Sequence, residues 1–389
     1  MIFLLLFCVN AAAVLPTLHM ISLFHTIPSQ RFSHCAFTGK VLRFSKMMKM
    51  YGWHVIEYHN GFSESEANEH VQLLTAEEFE SARTIRNLTH FIGHDAVIGG
   101  LLHSVFEQRL MVQLEQRLKP GDIVLHPFSW SHKLASERFI EVTHVESGIG
   151  YPDTFLGYRI FESWAWYHYQ HGVTKNAIGS TYNWVIPNYY DEADWPLMDM
   201  SPDQNIVFMG RIVTSKGIDI VRELATRLPH RRFMIAGQGD FRAFFPPSLT
   251  NVVYVGPLEG RQRADFVCTA AAMLMPSSMI EPFGGSAVEA QMCGVPVIST
   301  NFGAFTETIE HGLTGFRCAT LGDYLAAIDL IGTLSRTAIA ERARRLYSLR
   351  AVGKQYDAAF RMINDVRFGG WYTNRSYTIA KTCDHEICG

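Results

Sequence analysis

The sequence predicts an α/β chain: two doubly wound parallel-sheet domains facing across a cleft. Three observations predict it. At 389 residues the chain is too long for one ordinary core. Short apolar runs alternate with helix-period stretches in two successive series, the pattern of parallel strands joined by crossover helices. Between the series, Tyr189 to Asp203 is acidic, proline-bearing and aperiodic, which suits a linker. The expected domains are 17–190 and 204–354, with a C-terminal helix over 355–370 returning to the first. Residues 1–16 and 374–389 read as terminal extensions.

The first series opens with a buried strand, Leu18 to Phe24, and a polar loop. An amphipathic helix from about Phe37 to Met50 is closed by Gly52, and Trp53 to Tyr58 is the next strand. Thr38-Gly39-Lys40 could present N–H groups and a cation to a ligand, or could be a plain helix start. Residues 64–118 are charged and helix-compatible. Ile123 to His126 and Phe139 to His144 read as strands. Val145 to Tyr151, with Gly148 and Gly150, is then a loop at the C-terminal sheet edge, where ligands bind in open α/β sheets. Phe161 to Tyr169 is strongly aromatic; an amphipathic helix packed on the core is the expected reading, sugar stacking the alternative. Trp184 to Asn188 is a short strand stopped by Pro187.

The second series places strands at Asn205–Met209, Arg232–Ala236, Val252–Val255 and Met273–Pro276, with helices between them. Glu281 to Ser299 follows. Two carboxylates, Glu281 and Glu289, flank Gly284-Gly285. Pro282 suits the first turn of a helix, and the glycine pair lets a ligand approach bare backbone. The helix's free N–H groups make a seat for an anion such as a diphosphate. Gly294 ends the helix and a buried strand begins at Pro296. Arg211 and Lys216 would project from the same sheet edge, and Gly237 and Gly239 form a second close-approach loop. Gly303 to Glu307 is a further loop there, a helix and strand follow near 304–317, and residues 321–367 read as helical. No Asp-x-Asp occurs, so Arg, Lys and helix N–H groups are expected to carry the diphosphate load, with no metal and no cofactor.

A net charge of −3 gives no general affinity for nucleic acid. Seven scattered cysteines, an odd number, argue against a disulfide framework and suit a reducing, cytoplasmic compartment. The apolar run Ile2 to Val9 is too short to span a bilayer and no Lys or Arg precedes it, so it is read as an extension rather than a signal. Cys383-Asp-His-Glu-Ile-Cys388 contains metal-ligand types but no facing second pair. The sequons at Asn87 and Asn374 matter only if the chain is secreted. No transmembrane helix is expected, and peripheral membrane contact is left open.

Four motifs in order carry a resemblance: Gly210-Arg211 with Lys216-Gly217, Ala236-Gly237-Gln-Gly239-Asp240, Glu281 with Glu289, and Cys293-Gly-Val-Pro-Val-Ile298. Over about 205–332 the chain resembles family 4 glycosyltransferases of the two-Rossmann GT-B fold. Ile186-Pro-Asn188 resembles the end of that family's first domain, and Gln355–Val366 its returning tail helix. The resemblance implies a retaining transfer from a nucleotide-diphosphate sugar to a carbohydrate, lipid-linked or protein acceptor. Arg211 and Lys216 would hold the donor phosphates and stabilise the leaving diphosphate. Glu281 would contact the sugar hydroxyls and Glu289 the ribose. N–H groups from Phe283 through Gly284 to Gly285 would meet the sugar or diphosphate. The family's opening Gly-Gly loop is represented here only by Gly39. A first-domain histidine often faces the reacting sugar; His144 is the candidate, His126 the runner-up, with Glu146 close behind on the acceptor side. The competing readings are a nucleotide-sugar epimerase or a phosphorylase on the same frame, and an inactive sugar-nucleotide-binding protein.

Overall fold

The computed structural model describes residues 15–85, 95–179, 182–197 and 205–367. Both sequons and the Cys383–Cys388 segment lie outside these residues.

The first half runs β1 (Leu18–Ile21), α1 (Ala36–Lys49), β2 (Val55–Asn60), β3 (Glu69–Leu74), α2 (Ala76–Ala82), α3 (Leu101–Arg117), β4 (Ile123–His126), α4 (Lys133–Arg138), β5 (Thr143–Ile149), β6 (Tyr158–Phe161), α5 (Trp164–Val173) and β7 (Asn183–Val185). All seven strands are parallel, in the order β3-β2-β1-β4-β5-β6-β7. The second half runs β8 (Ile206–Met209), α6 (Ile218–Arg227), β9 (Phe233–Ala236), β10 (Val252–Gly256), α7 (Arg261–Cys268), β11 (Ala272–Met275), α8 (Gly285–Met292), β12 (Val297–Thr300), α9 (Phe305–Thr308), β13 (Gly315–Cys318), α10 (Leu321–Leu330), α11 (Arg336–Tyr347) and α12 (Leu349–Arg367). Its six strands are parallel, in the order β10-β9-β8-β11-β12-β13.

Each sheet has an apolar layer on both faces, as a parallel sheet requires. Phe44, Trp53 and Val145 lie in one layer of the first sheet, and Phe24, Phe106 and Leu114 in the other. Leu349, Val352, Tyr356, Phe360 and Ile363 of α12 join the layer of Phe44. The last helix therefore leaves the second sheet and packs on the first. Trp53 Nε1 donates to Asp357 at 2.8 Å and fixes it there.

Three local expectations are corrected. Glu69–Leu74, expected as helix, is the edge strand β3; only one side of an edge strand is covered, so charged Glu69 sits exposed beside buried Val71 and Leu73. The strand expected at Phe139–His144 is instead Thr143–Ile149. Phe139 and Val142 do pack in the core, but as the connection into it. The strand itself buries His144, Glu146 and Ser147, polar residues that mask its apolar pattern. Cys268 and Cys293 form a disulfide, against the expectation of unpaired thiols. They lie 25 residues apart in sequence but meet because α7 and α8 pack together. Cys35 and Cys318 are free.

Candidate active site

The C-terminal edges of the two sheets line one cavity of about 230 Å³. Lys216, Glu281, Phe283, Gly284, Gly285 and Glu289 line it from the second domain. Gly39, Lys40, Glu162 and Asn188 line it from the first.

Local structure explains the second-domain wall. Helix α8 begins at Gly285, so Pro282 precedes the helix and does not occupy its first turn as expected. Gly284 is the N-cap at φ 77°, a left-handed conformation suited to glycine, and a Cβ there would lie 2.6 Å from the Phe305 ring. Gly284, Gly285 and Ser286, at the start of α8, line the cavity. Lys216 ends the 3-10 turn after β8, and its Nζ donates to Glu281 Oε1 at 2.6 Å. Glu289, one turn into α8, is ion-paired with Arg263 of α7. Arg263 also donates to the Ser33 carbonyl of the first domain at 2.7 Å.

Arg211 and Gly237 lie in an adjoining cavity with Gln238, Pro257 and Leu258; His34, Arg263 and Ser286 line both cavities. Burial pushes the His34 imidazole down to about 4, with Arg263 adding to the effect, so the ring is neutral near pH 7.

The first-domain wall is built on a buried ion pair. Lys40 Nζ is paired with Glu162 and donates to the Gly148 carbonyl at 2.7 Å. Asn188 Nδ2 donates to the other Glu162 oxygen at 3.0 Å. Burial lowers the Lys40 pKa against the opposing pull of Glu162. A Cβ on Gly150 would meet Glu162 at 2.7 Å, so the carboxylate fills the space that a side chain there would need. Thr38-Gly39-Lys40 is helix, not loop, and its cation is already engaged.

His126, His144 and Glu146 line neither cavity. His144 stands at the start of β5, not at its C-terminal end, and this corrects its expected position. One ring nitrogen meets His126 at 3.0 Å and the other the Phe139 carbonyl at 3.0 Å. Burial lowers its pKa to about 4 and that of His126 well below the usual value. Glu146 accepts from the amides of Phe155 and Leu156 at 3.0 and 2.9 Å, and burial raises its carboxyl to about 7.

Arg263, Glu162, Arg43 and His34 line the cleft without having been singled out in the sequence. Their partners lie far along the chain, as Glu162 with Lys40 and Arg263 with Glu289 show, and carry no common spacing. Asn188 stood in the Ile-Pro-Asn signal, and that was its only mark.

Two segments of the first domain, 163–165 and Tyr190, bond to the second at this edge. Ser163 Oγ donates to the Pro282 carbonyl at 2.5 Å. The Trp164 and Ala165 amides, in the first turn of α5, donate to Glu307 at 2.9 and 2.7 Å. Tyr190 OH donates to the Gly285 carbonyl at 3.3 Å. Among the described residues, no helix is long and apolar enough to cross a membrane.

Residues 203–336 match the family model described as glycosyl transferases group 1. An uncharacterized 41.2 kDa protein in the cps region of Klebsiella pneumoniae is 32% identical over 152 residues, 37% of this chain and 42% of that one. A glycogen synthase of Mycobacterium tuberculosis is 29% identical over 174 residues, 41% of this chain and 42% of that one. This chain thus spans about two fifths of the length of these curated relatives. Among solved structures, sucrose-phosphate synthase from Thermosynechococcus elongatus superposes with a TM-score of 0.64 at 15% identity, over 90% of this chain and 100% of that one. HepE of Anabaena, in complex with UDP and glucose, superposes with a TM-score of 0.61 at 14% identity, over 89% and 99%. The second domain is thus similar to the group 1 glycosyltransferases, and the two parallel-sheet domains have the GT-B fold.

Proposed function

We propose that the chain is a retaining glycosyltransferase, moving a hexosyl group from a nucleotide-diphosphate sugar to an acceptor without a metal at the diphosphate. One observation carries this reading: Lys216, Glu281, Glu289 and the N-terminus of α8 line a single cavity between the domains. HepE holds UDP and glucose on the same fold, which supports a nucleotide-sugar donor.

The diphosphate sits at the first amides of α8, where backbone N–H groups and the helix dipole favour an anion. Four cations, Lys40, Arg43, Lys216 and Arg263, line the cavity against three carboxylates, Glu162, Glu281 and Glu289. Arg211 stands in the adjoining cavity. This excess of positive charge matches a leaving group that gains negative charge as the glycosidic bond breaks. Lys216 turns from Glu281 to the phosphate as donor enters, and Glu281 is freed to accept hydrogen bonds from the sugar hydroxyls. Glu289 takes the ribose hydroxyls, with Arg263 holding it in place. The acceptor approaches from the Lys40–Glu162–Asn188 wall.

The test is the configuration of the product. Proton NMR of the first-formed glycoside from an α-linked donor should show the α-anomer. A β-product would contradict retention, and free sugar without transfer would contradict the transferase reading.

A further inference from the structure

A second constellation lies on the first domain, outside both cavities of the cleft. His103 and Glu107 are four residues apart on α3 and so share one helix face. His132 ends the 3-10 turn Ser129–His132 after β4. One ligand atom from each lies within 4.8 Å of the others. We propose that His103, Glu107 and His132 bind a first-row divalent transition metal, with Zn²⁺ as the representative ion.

Two imidazoles and a carboxylate are a donor set such metals take, and three protein ligands leave a position for water. Glu107 Oε2 lies 2.5 Å from His132 Nδ1 and 3.8 Å from His103 Nε2. Metal–ligand bonds of about 2.0–2.2 Å in a tetrahedron set ligand atoms roughly 3.3–3.6 Å apart. The observed separations bracket that range, so small side-chain rotations complete the site.

The surroundings hold the rings in place. His103 and His132 stack with centroids 5.7 Å apart and planes 8° from parallel. Phe106 stacks on His132 at 5.0 Å, and Phe24 meets both histidines edge-on. Hydrogen bonding alone accounts for part of the cluster: His132 donates to Glu107, and His103 Nε2 meets the Ser131 carbonyl at 2.5 Å. It leaves His132 Nε2 and His25 Nδ1 buried with no partner among the described residues. Neither atom is a ligand here, and the site stands on the geometry of His103, Glu107 and His132. Loading keeps both imidazoles neutral. The His103 proton passes from Nε2 to Nδ1, giving up the bond to the Ser131 carbonyl and the one from the Gly99 amide, and the His132 proton passes from Nδ1 to Nε2, giving up the bond to Glu107. Coordinate bonds form to the freed nitrogens and to the Glu107 carboxylate, and water leaves the ion.

The ion would tie α3 to the turn after Phe128. That ring packs on Phe37 at 5.1 Å, and Phe37 lines the cleft. The proposal does not rest on the transferase reading.

The test uses the full chain, stripped with chelator, dialysed against Zn²⁺ or Co²⁺ alone, and assayed for bound metal. The wild type should retain one Zn²⁺ per chain and melt at a higher temperature with Zn²⁺ than without. Its Co²⁺ form should show visible d–d bands without thiolate charge transfer. Glu107→Gln, nearly isosteric, and His103→Asn should each lose the bound metal and the melting shift while keeping the wild-type circular dichroism. Cys383→Ser/Cys388→Ser should keep both. Absence of Zn²⁺ uptake by the wild type would overturn the proposal. So would undiminished uptake by folded Glu107→Gln, or a thiolate band that disappears with the two cysteines.

Discussion

Arg263 of α7 is ion-paired with Glu289 of α8 and reaches across the cleft to the Ser33 carbonyl at 2.7 Å. One guanidinium therefore orients a carboxylate of one cleft wall and touches the opposite wall. A lysine keeps the charge but cannot reproduce the fork that serves both partners. Arg263→Lys should raise the donor KM roughly tenfold, about 1.4 kcal/mol for one charge-assisted hydrogen bond, with kcat little changed. Steady-state kinetics with donor as the varied substrate measures this, and an unchanged KM would remove Arg263 from the donor site.

Lys216 and Glu281 are both largely buried and hydrogen-bonded at 2.6 Å. If Glu281 meets the sugar as proposed, Glu281→Gln should lower kcat on the order of a hundredfold or more, because the charged acceptor becomes neutral. Lys216→Ala leaves Glu281 buried without its cation and should destabilise the fold by about 1–3 kcal/mol. Adding Glu281→Gln to Lys216→Ala should recover part of that loss. Denaturant unfolding of the two singles and the double measures the coupling. Strict additivity would show that the pair contributes nothing.

Gly284→Ala places a methyl 2.6 Å from Phe305 Cε1 at a residue with φ 77°. The left-handed backbone alone costs about 1–2 kcal/mol for a residue with a Cβ. The variant should melt lower and bind donor more weakly, because the amides of α8 must shift. A melting temperature equal to wild type would contradict this account of the N-cap.

Two buried groups set opposite pH limits on stability. Burial lowers the folded-state pKa of His144 from 6.5 to about 4, so the stability linked to its neutral form is present above pH 6.5 and lost as pH falls through about 4. Burial raises Glu146 from 4.5 to about 7, so stability linked to its protonated form is present below pH 4.5 and lost as pH rises through about 7. Glu146→Gln should flatten the decline from pH 4.5 to 7, and His144→Gln the decline from pH 6.5 to 4. Thermal melts across pH 4–8 separate the two. Parallel curves for wild type and Glu146→Gln would show that this carboxyl does not titrate in the range.

The second domain was more legible than the first, and the reason is steric. Gly217 has φ 76°, and a Cβ there would lie 2.0 Å from the Pro276 carbonyl oxygen; one on Gly237 would lie 1.8 Å from the Gly210 carbonyl oxygen. Where two backbones run this close only glycine fits, so the loops carry a sequence mark. The first-domain wall carries none. Lys40 and Glu162 are paired across 122 residues, and either alone reads as a surface charge. Strand β5 hid for a related reason: His144, Glu146 and Ser147 are polar residues satisfied or enclosed in the interior, and they break the apolar run that marks a buried strand. Reading that strand as ending at His144 placed the histidine at the ligand-binding edge, whereas it stands at the start of the strand.

The central claim is that Lys216 and the start of α8 hold the diphosphate of a sugar donor while Glu281 holds its sugar. The most direct measurement is nucleoside diphosphate release from a panel of nucleotide sugars, with wild type and Glu281→Gln compared at equal concentration. Each is assayed with and without added Mg²⁺ or Mn²⁺. The account predicts release from at least one donor by the wild type, independent of the added metal, and release reduced on the order of a hundredfold in Glu281→Gln. Wild-type release by Glu281→Gln, or release only when Mg²⁺ or Mn²⁺ is supplied, would contradict it.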